Sequence, residues 1–207
     1  MNKRRTTIAL VTALLLWSMA QVVLAGEQSP EDTIKQTAEQ VLGKLQKDRA
    51  ELKAHPNQIY QLVESDILPH FDFARMSQWV LARYWRTATP QQREQFQTQF
   101  RNLLVNTYSN TLLRYSGEKI TYLPTRLDPS SDTALVRTSL LNGDSGQSIP
   151  IDYRLYDDHG NWKVIDLTID GVSLITNYHD SFAETLQQKG IDGLIQQLKA
   201  HNQQLTG

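Results

Sequence analysis

The spacing of apolar positions changes along the chain, from a period of about 3.6 residues in the first half to a period of 2 in the second. Before residue 118, apolar side chains recur at helical spacing, and the longest such stripe is Phe96, Phe100, Leu103, Leu104, Tyr108, Leu112 and Tyr115. After residue 118, apolar and polar positions alternate, as in Ile149-Pro150-Ile151-Asp152-Tyr153. We therefore predict helices within 29–117, a sheet within 118–170 and C-terminal helices within 172–200.

Capping residues mark the ends of the predicted helices. Ser29-Pro30-Glu31 is typical of a helix start, because Ser caps free backbone N–H groups and Pro fits the first turn. Thr89-Pro90-Gln91-Gln92 is a capping box for a helix that we expect to reach about Tyr115. Two shorter helices are predicted between these, one from Pro56 to just before Pro69 and one capped by Asp72. The polar residues 201–207 are expected to fray.

Four runs of alternating residues predict an antiparallel sheet with one apolar face. The segments 142–143 and 157–161 carry the Asn, Asp and Gly residues of tight turns. The apolar set changes parity at Val164-Ile165, which predicts either a β-bulge in the fourth strand or burial on both of its faces. The pattern predicts an α+β fold, a twisted antiparallel sheet of about four strands packed against several helices.

The N-terminus has the three parts of a secretory signal peptide. Lys3, Arg4 and Arg5 precede an apolar stretch of 12 residues from Ile8 to Met19, and small residues lead to a cleavage site near Ala25-Gly26. The alternative is a transmembrane anchor, but this stretch is short for a hydrocarbon layer of about 30 Å. We expect residues 1–25 to be cleaved and residues 26–207 to form a single domain.

Composition and charge narrow the class of protein. Hydrophobic residues make up 40% of the chain and charged residues 21%, which is enough apolar material for a packed core. Removal of residues 1–25 leaves 18 basic and 22 acidic residues, a net charge of −4 that argues against a nucleic-acid partner. Cysteine is absent, so core packing must hold the exported chain together without disulfides.

No catalytic or metal-binding motif is evident in the sequence. The histidines lack metal-ligand spacing and occur singly, at positions His55, His70, His159, His179 and His201. Gly143-Asp144-Ser145-Gly146 resembles the nucleophile segment of chymotrypsin-like proteases, but the residues before it predict helices instead of a β-barrel. Asp166 and Asp170 are a candidate acid pair for acid–base catalysis, but spacing alone does not show a substrate cleft. We expect instead that Asp166 caps or pairs locally and that Asp170-Gly171 forms a turn. We predict neither an enzyme nor a metal site.

Aromatic and apolar side chains are abundant around the predicted interface between helices and sheet. Trp79, Trp85, Trp162, Phe96 and Phe100 belong to this group. They form either a plain hydrophobic core or a core left partly hollow for an apolar ligand. Periodicity cannot separate these two alternatives.

The order of motifs over nearly all of the chain after residue 25 resembles the MlaC family, also called the toluene-tolerance auxiliary protein family. The segments that carry the resemblance are Phe71-Asp72-Phe73, Trp85-Arg86, Thr89-Pro90-Gln91-Gln92-Arg93, Gly160-Asn161-Trp162-Lys163-Val164, Asp170-Gly171-Val172-Ser173-Leu174 and Gly190-Ile191-Asp192-Gly193-Leu194. His179-Asp180-Ser181 departs from it, since many members carry Arg-Ser-Gln there.

The resemblance implies a periplasmic protein of Gram-negative bacteria that carries phospholipid and has no cofactor. Its partners would be an outer-membrane lipoprotein–porin complex and an inner-membrane ABC transporter complex with an MCE-type subunit. Such carriers maintain the lipid asymmetry of the outer membrane. The resemblance also implies an apolar pocket between sheet and helices that takes the acyl tails, and we expect a monomer.

Alternation and helical stripes give candidate lipid-binding residues for such a pocket. They are Phe73, Met76, Val80, Phe100, Leu104 and Tyr108 on the helices, and Val136, Ile149, Ile151, Tyr153, Trp162, Val164 and Val172 near the sheet. Two other functions stay open. A lipid or cell-wall hydrolase would need a nucleophile such as Ser145 or Ser173, and a lipid-free adaptor would have a filled core.

Overall fold

The fold is taken from a computed structural model, which describes residues 28–114, 117–128, 130–141 and 146–206. The predicted signal peptide and the predicted turn at Asn142-Gly143 lie outside the described residues. The helices are α1 (Pro30–Lys47), α2 (Arg49–Ala54), α3 (Gln58–Leu62), α4 (Phe73–Leu81), α5 (Arg83–Thr87), α6 (Pro90–Leu112) and α7 (Leu174–Thr206). The strands are β1 (Lys119–Asp128), β2 (Thr133–Leu141), β3 (Ser148–Asp158), β4 (Asn161–Ile169) and β5 (Val172–Ser173).

The predicted helix caps are confirmed. The Asp32 backbone N–H donates to the Ser29 hydroxyl at 3.0 Å at the start of α1. At the start of α6, the Gln92 N–H donates to the Thr89 hydroxyl at 3.2 Å, while the Gln92 side chain accepts from the Thr89 N–H at 2.9 Å. These contacts satisfy backbone donors that have no partner inside a helix. The α6 helix ends at Leu112, slightly before the predicted end.

The segment between α1 and α4 is more broken than predicted. After α3, a π-turn (Val63–Ile67) and a 3₁₀ turn (Leu68–His70) complete a stretch for which the sequence predicts one helix. The wider π-turn contains Asp66, which is only 8% exposed and accepts a hydrogen bond from Lys44 of α1 at 2.6 Å. The change from α-helix to π-turn thus accompanies a contact between α1 and Asp66, which the spacing of apolar residues could not predict.

The sheet is an antiparallel meander in the order β1-β2-β3-β4-β5. The predicted bulge in β4 is confirmed, because Arg154 pairs with Asp166 and Leu155 with Val164, which leaves Ile165 unpaired. The β5 strand, of only two residues, adds to the four predicted strands. Asp170 and Gly171 have φ values of 50° and 81°, as a two-residue turn with left-handed backbone requires.

The α7 helix is kinked at Gly190, whose φ of 65° lies in the left-handed region. Its start is held by Asp166, which accepts the Ser173 hydroxyl at 2.7 Å and the Ile175 N–H at 3.2 Å. The local capping role predicted for Asp166 is therefore confirmed. The helix continues to Thr206, so residues 201–206 do not fray as the sequence suggests. Asn202 explains the difference, since its amide donates to the Gln99 carbonyl of α6 at 2.9 Å.

Buried apolar residues form three clusters. The helical cluster joins α4, α6 and α7 through residues such as Met76, Phe96, Phe100 and Leu194. The sheet cluster contains Ile34, Ala134, Val136, Leu155 and Val164. The third cluster contains Val41, Leu45, Leu52 and Ile59 and joins α1, α2 and α3. The helical and sheet clusters together contain most of the predicted lipid-binding residues.

Candidate functional site

One face of the sheet, which we call the inner face, is apolar along its length. In β2, Ala134, Val136 and Thr138 are at most 3% exposed, while the residues between them are more exposed. The side chains of a strand alternate between the two faces, so these three point to the same side. Ile34 of α1 packs on that side as part of the sheet cluster.

Strand register extends this face across the sheet. Val136 lies opposite Tyr153, which lies opposite Leu167. In the neighbouring row, Thr138 lies opposite Ile151, and Ile151 lies opposite Ile169. Directly opposed residues of an antiparallel pair point to the same face. Ile151 and Tyr153 therefore share the inner face with Val136, as predicted from their alternation.

The inner face has a sealed end and an open end. At the sealed end, Val136, Leu155 and Val164 are at most 1% exposed. At the open end, apolar side chains stay half-buried and belong to none of the three clusters of described residues. These open-end residues are Leu140, Ile149, Ile151 and Ile169. Such half-covered apolar surface is suited to an apolar ligand.

Phe71 lies at the seam between the sheet and the helices. It packs against both the helical cluster and the sheet cluster. Its backbone forms a parallel bridge to Val164, and the N–H of Asp72 donates to the Val164 carbonyl at 2.9 Å. The aromatic ring of Phe71 is thus a contact shared by the two apolar clusters.

The helical side of the seam is rich in aromatic contacts. Tyr178 meets Phe100 edge-on, with ring centroids 5.3 Å apart, and Phe182 at 5.6 Å. Phe100 stacks on Phe96 at 5.6 Å. Such ring pairs add stabilisation beyond the apolar area they bury. Burial raises the pKa of Tyr178 to about 12, so its hydroxyl stays neutral.

The inner face contains few polar groups, and those present are uncharged. Burial raises the pKa of Tyr153 to about 12, although a hydrogen bond to Thr138 opposes the shift. The Thr138 hydroxyl donates to the Ile151 carbonyl at 3.0 Å. Because these hydroxyls have partners and carry no charge at neutral pH, they interrupt the apolar surface at little cost.

The thirteen candidate lipid-binding residues fall into separate groups. The helical cluster holds or directly contacts six of them, namely Phe73, Met76, Val80, Phe100, Leu104 and Tyr108. The sheet cluster holds or contacts Val136, Tyr153, Trp162 and Val164. Ile149 and Ile151 lie at the open end of the inner face. Twelve of the thirteen candidates thus lie in or against the helical cluster or the sheet cluster, or at the open end of the inner face.

Val172 is placed differently from the other candidates. It lies in β5 opposite Ile169, at the margin of the sheet, and is 56% exposed. Its pairing with Ile169 puts it on the same side of the sheet as the inner face. Among the described residues, however, β5 is the edge strand, so no further strand lies beside Val172. Val172, predicted to face the bound lipid, therefore lies largely in solvent in this structure.

Sequence reasoning missed several residues of this region. Ile34, Phe71, Leu167 and Tyr178 pack in or against the clusters but are absent from the candidates. Ile34 belongs to the apolar stripe of α1, and a covering helix could have been inferred from it. Phe71 gave no periodic signal, because it precedes a helix, and only the Phe71-Asp72-Phe73 segment of the family resemblance marks it.

Several of the described residues with reactive side chains that the sequence singled out have structural partners. No group of three or more His, Asp or Glu residues in the described part of the chain could hold a metal ion. The Ser173 hydroxyl donates to Asp166 and accepts from the Thr176 N–H at 3.2 Å, which is a capping geometry without a histidine. His179 Nδ1 lies 2.9 Å from the Val80 carbonyl and joins α7 to α4. Among the described helices, none is long and apolar enough to span a membrane.

Comparisons with known proteins agree with this arrangement. The chain is 29% identical over 190 residues to the toluene tolerance protein ttg2D of Pseudomonas putida, covering 91% of this chain and 85% of that protein. It is 26% identical over 175 residues to the intermembrane phospholipid transport system binding protein MlaC of Haemophilus influenzae, covering 84% and 82%.

A solved structure shares the fold. The phospholipid-binding protein from Ralstonia solanacearum, determined in complex with a phospholipid, is 31% identical, with a TM-score of 0.79. The match covers 86% of this chain and 99% of that one. The family model described as MlaC protein matches residues 35–200, which include the inner face, the seam at Phe71 and the helical cluster. The chain described here therefore belongs to the MlaC family.

Proposed function

We propose that this protein is a non-enzymatic carrier that holds the acyl tails of a phospholipid against the inner face and leaves the head group in water. The observation that carries the proposal is the half-buried apolar surface at the open end, formed by Leu140, Ile149, Ile151 and Ile169. The similar protein from Ralstonia solanacearum, solved with a phospholipid bound, supports the choice of ligand. Phospholipid is the cargo, and no cofactor is required.

The free energy of moving acyl tails explains why a carrier is needed. A lipid with about 30 methylenes gains roughly 24 kcal/mol on leaving water, at about 0.8 kcal/mol for each CH₂. A lipid would therefore almost never cross an aqueous compartment alone. A surface about as apolar as a bilayer makes transfer between membrane and carrier nearly balanced.

The seam at Phe71 is the place where we expect tails to enter between sheet and helices. Phe71 is in contact with both clusters, and tails that displace its ring would replace apolar contacts by apolar contacts. Little free energy is lost when one apolar surface is exchanged for another. The candidates Phe73, Met76, Val136 and Trp162 would then line the two walls of the pocket.

The proposed route runs between the two membranes of a Gram-negative cell. Residues 1–25 would direct export and be cleaved, so that the mature protein acts in the periplasm. The name of the Haemophilus influenzae relative, a binding protein of intermembrane phospholipid transport, supports this placement. The partners would be an outer-membrane lipoprotein–porin complex and an inner-membrane ABC transporter complex with an MCE-type subunit. Through them, a monomeric carrier would help to maintain outer-membrane lipid asymmetry.

Mass spectrometry tests the carrier function directly. The mature protein is purified without detergent, and its organic extract is measured beside a native mass spectrum. We expect about one phospholipid per chain, with mixed head groups, because the contacts are to the tails. A lipid-free spectrum would contradict the proposal and favour a lipid-free adaptor. Hydrolysis of added phospholipid that disappears in Ser173→Ala would instead favour a hydrolase.

A further inference from the structure

A groove on the helical side of the molecule lies outside the apolar site. It has a volume of about 590 Å³ and is walled by α3, the π-turn, α6 and the end of α7. This volume is in the range of small-molecule sites, which is about 300–1,000 Å³. The residues of the groove are mainly polar, and none of them belongs to the proposed lipid-binding set.

A stripe of side-chain amides on α6 forms one wall of the groove. Gln99, Asn102 and Asn106 are spaced by three and four residues, so they lie on the same face of the helix. Asn57 and Asn202 add further amides from the opposite walls. Each amide offers two donors and one acceptor oxygen, so the groove can both give and receive hydrogen bonds.

Two walls of the groove, α6 and the end of α7, are joined by hydrogen bonds within the protein. Asn202, 6% exposed, donates from one amide nitrogen to the Gln99 carbonyl at 2.9 Å and to the Gln99 side-chain oxygen at 3.0 Å. These bonds hold the end of α7 against α6. A groove whose walls are already joined loses less entropy on binding than one that must first be ordered.

Asn106 contributes a largely buried amide to the groove, because the residue is only 8% exposed. Its side chain makes no hydrogen bond to another described residue, and its polar atoms keep contact with solvent through the groove. A ligand that fills the groove would replace this solvent and could take over its hydrogen bonds.

The charges of the groove leave it close to neutral. Glu64 forms an ion pair with Arg101 at 3.2 Å, and Lys199 is the other charged residue that lines the groove. Phosphate and nucleic-acid sites need clusters of basic residues, which these walls lack. An uncharged ligand therefore fits the groove better than an anion.

The shape and lining also argue against a peptide. An added β-strand needs a sheet edge, and an amphipathic helix needs an apolar groove, whereas this groove is helical and mostly polar. Its apolar side chains are Tyr60, Val105 and Leu205. Sugar hydroxyls both donate and accept hydrogen bonds, as the amides do, and the ring of Tyr60 offers an apolar surface for a sugar ring. We propose that the groove binds an uncharged saccharide.

The test uses the full mature protein and three soluble probes, the trimer of N-acetylglucosamine, cellotriose and maltotriose. Binding is followed by two-dimensional NMR of the side-chain amides, with titration to obtain Kd. We expect one of the three to shift the Asn102 and Asn106 amide signals. Asn106→Ala should weaken that binding about 10-fold, as the loss of a buried hydrogen bond does. Asn102→Ala, at a less buried position, keeps the test valid if Asn106→Ala does not fold.

Matched controls separate this site from general effects. Asn110→Ala changes an exposed amide of α6 that does not line the groove, and its Kd should equal that of the unchanged protein. Lipid recovered by extraction should be the same in Asn102→Ala, since Asn102 lines the groove and does not belong to the helical cluster. The proposal is overturned if no saccharide shifts the groove amides at tens of millimolar. Triglycine and inorganic phosphate are titrated as control ligands, and the proposal is equally overturned if only one of these shifts the groove amides. It is also overturned if Asn110→Ala weakens saccharide binding as much as Asn106→Ala does.

Discussion

A single buried charge at the open end of the inner face should abolish lipid binding. Ile151 is half-buried, and its neighbours Thr138 and Ile169 offer no counter-charge. In Ile151→Glu, a carboxylate would face an acyl chain, and an unpaired charge in apolar surroundings is costly. We expect the purified variant to fold, as judged by circular dichroism. It should yield less than about a tenth of the lipid that the unchanged protein yields, which corresponds to a loss of about 1.4 kcal/mol or more in the free energy of lipid binding.

Val172 supplies the matched control for this substitution. It continues the same cross-strand row from Ile169 but is 56% exposed. A carboxylate in Val172→Glu would stay in water, so the lipid content should be nearly unchanged. Equal lipid loss in both variants would show that added negative charge, and not burial at the open end, controls binding.

Replacement of Ala82 by glycine should make the folded protein more stable. It connects α4 to α5 with φ 46° and ψ −117°, a backbone conformation that side chains with a Cβ rarely adopt. Strain of this kind costs on the order of 1–3 kcal/mol. We expect Ala82→Gly to raise the free energy of unfolding by about 1 kcal/mol in urea titrations, after the entropy cost of glycine. Ala183→Gly, at an exposed position within α7, should instead lower it by about 1 kcal/mol.

At the level of elements, an ion pair fastens α1 to the π-turn. Burial alone would raise the pKa of Asp66, but hydrogen bonds from Lys44 and Ser65 outweigh burial and lower that pKa. A lowered pKa in the folded state means that the pair stabilises the protein at neutral pH. Lys44→Met should lower the free energy of unfolding by about 1–2 kcal/mol, less than for a fully buried pair because Lys44 is half in water.

The pH dependence distinguishes this ion pair from simple packing of the Lys44 side chain. Because the pKa of folded Asp66 is lowered, the stabilisation by the pair is complete at neutral pH, begins to decline near pH 4, where the unfolded carboxyl takes up a proton, and is lost as pH falls through the lowered pKa. Urea titrations at pH 7 and pH 3 should therefore show a larger difference between Lys44→Met and the unchanged protein at pH 7 than at pH 3. Lys47→Met, on the same helix and exposed, should have little effect at either pH. A Lys44→Met deficit that is the same at both pH values would contradict an electrostatic role.

The elements that the sequence predicts well are those set by local chemistry. The capping box of α6, the β-bulge at Ile165 and the turn at Asp170-Gly171 each depend on a few adjacent residues. The misjudged elements depend on distant contacts, as in the π-turn that holds Asp66 against α1 and the last turns of α7 that Asn202 ties to α6. The site follows the same rule, since alternation finds Ile151 but not Phe71.

At the scale of the whole molecule, the chain lacks cysteine, and its described residues pack into three apolar clusters. Phe71 links the helical and sheet clusters, and α1 crosses from the sheet cluster at Ile34 to the third cluster at Val41. A lipid between sheet and helices would add apolar contacts to both of its walls. The cargo should consequently contribute to the stability of the fold as well as to function.

Removal of lipid should therefore lower the melting temperature. A ligand bound at 100 times its Kd stabilises the folded state by about 2.7 kcal/mol, and each kcal/mol shifts Tm by roughly 2–4 °C in a protein of this size. We expect delipidated protein to melt at least about 5 °C lower in calorimetry, and reloading from phospholipid vesicles to restore Tm. Ile151→Glu should melt at the same temperature before and after this treatment, since it holds little lipid. Equal Tm values for loaded and delipidated unchanged protein would mean that the clusters pack fully without cargo, as in a lipid-free adaptor.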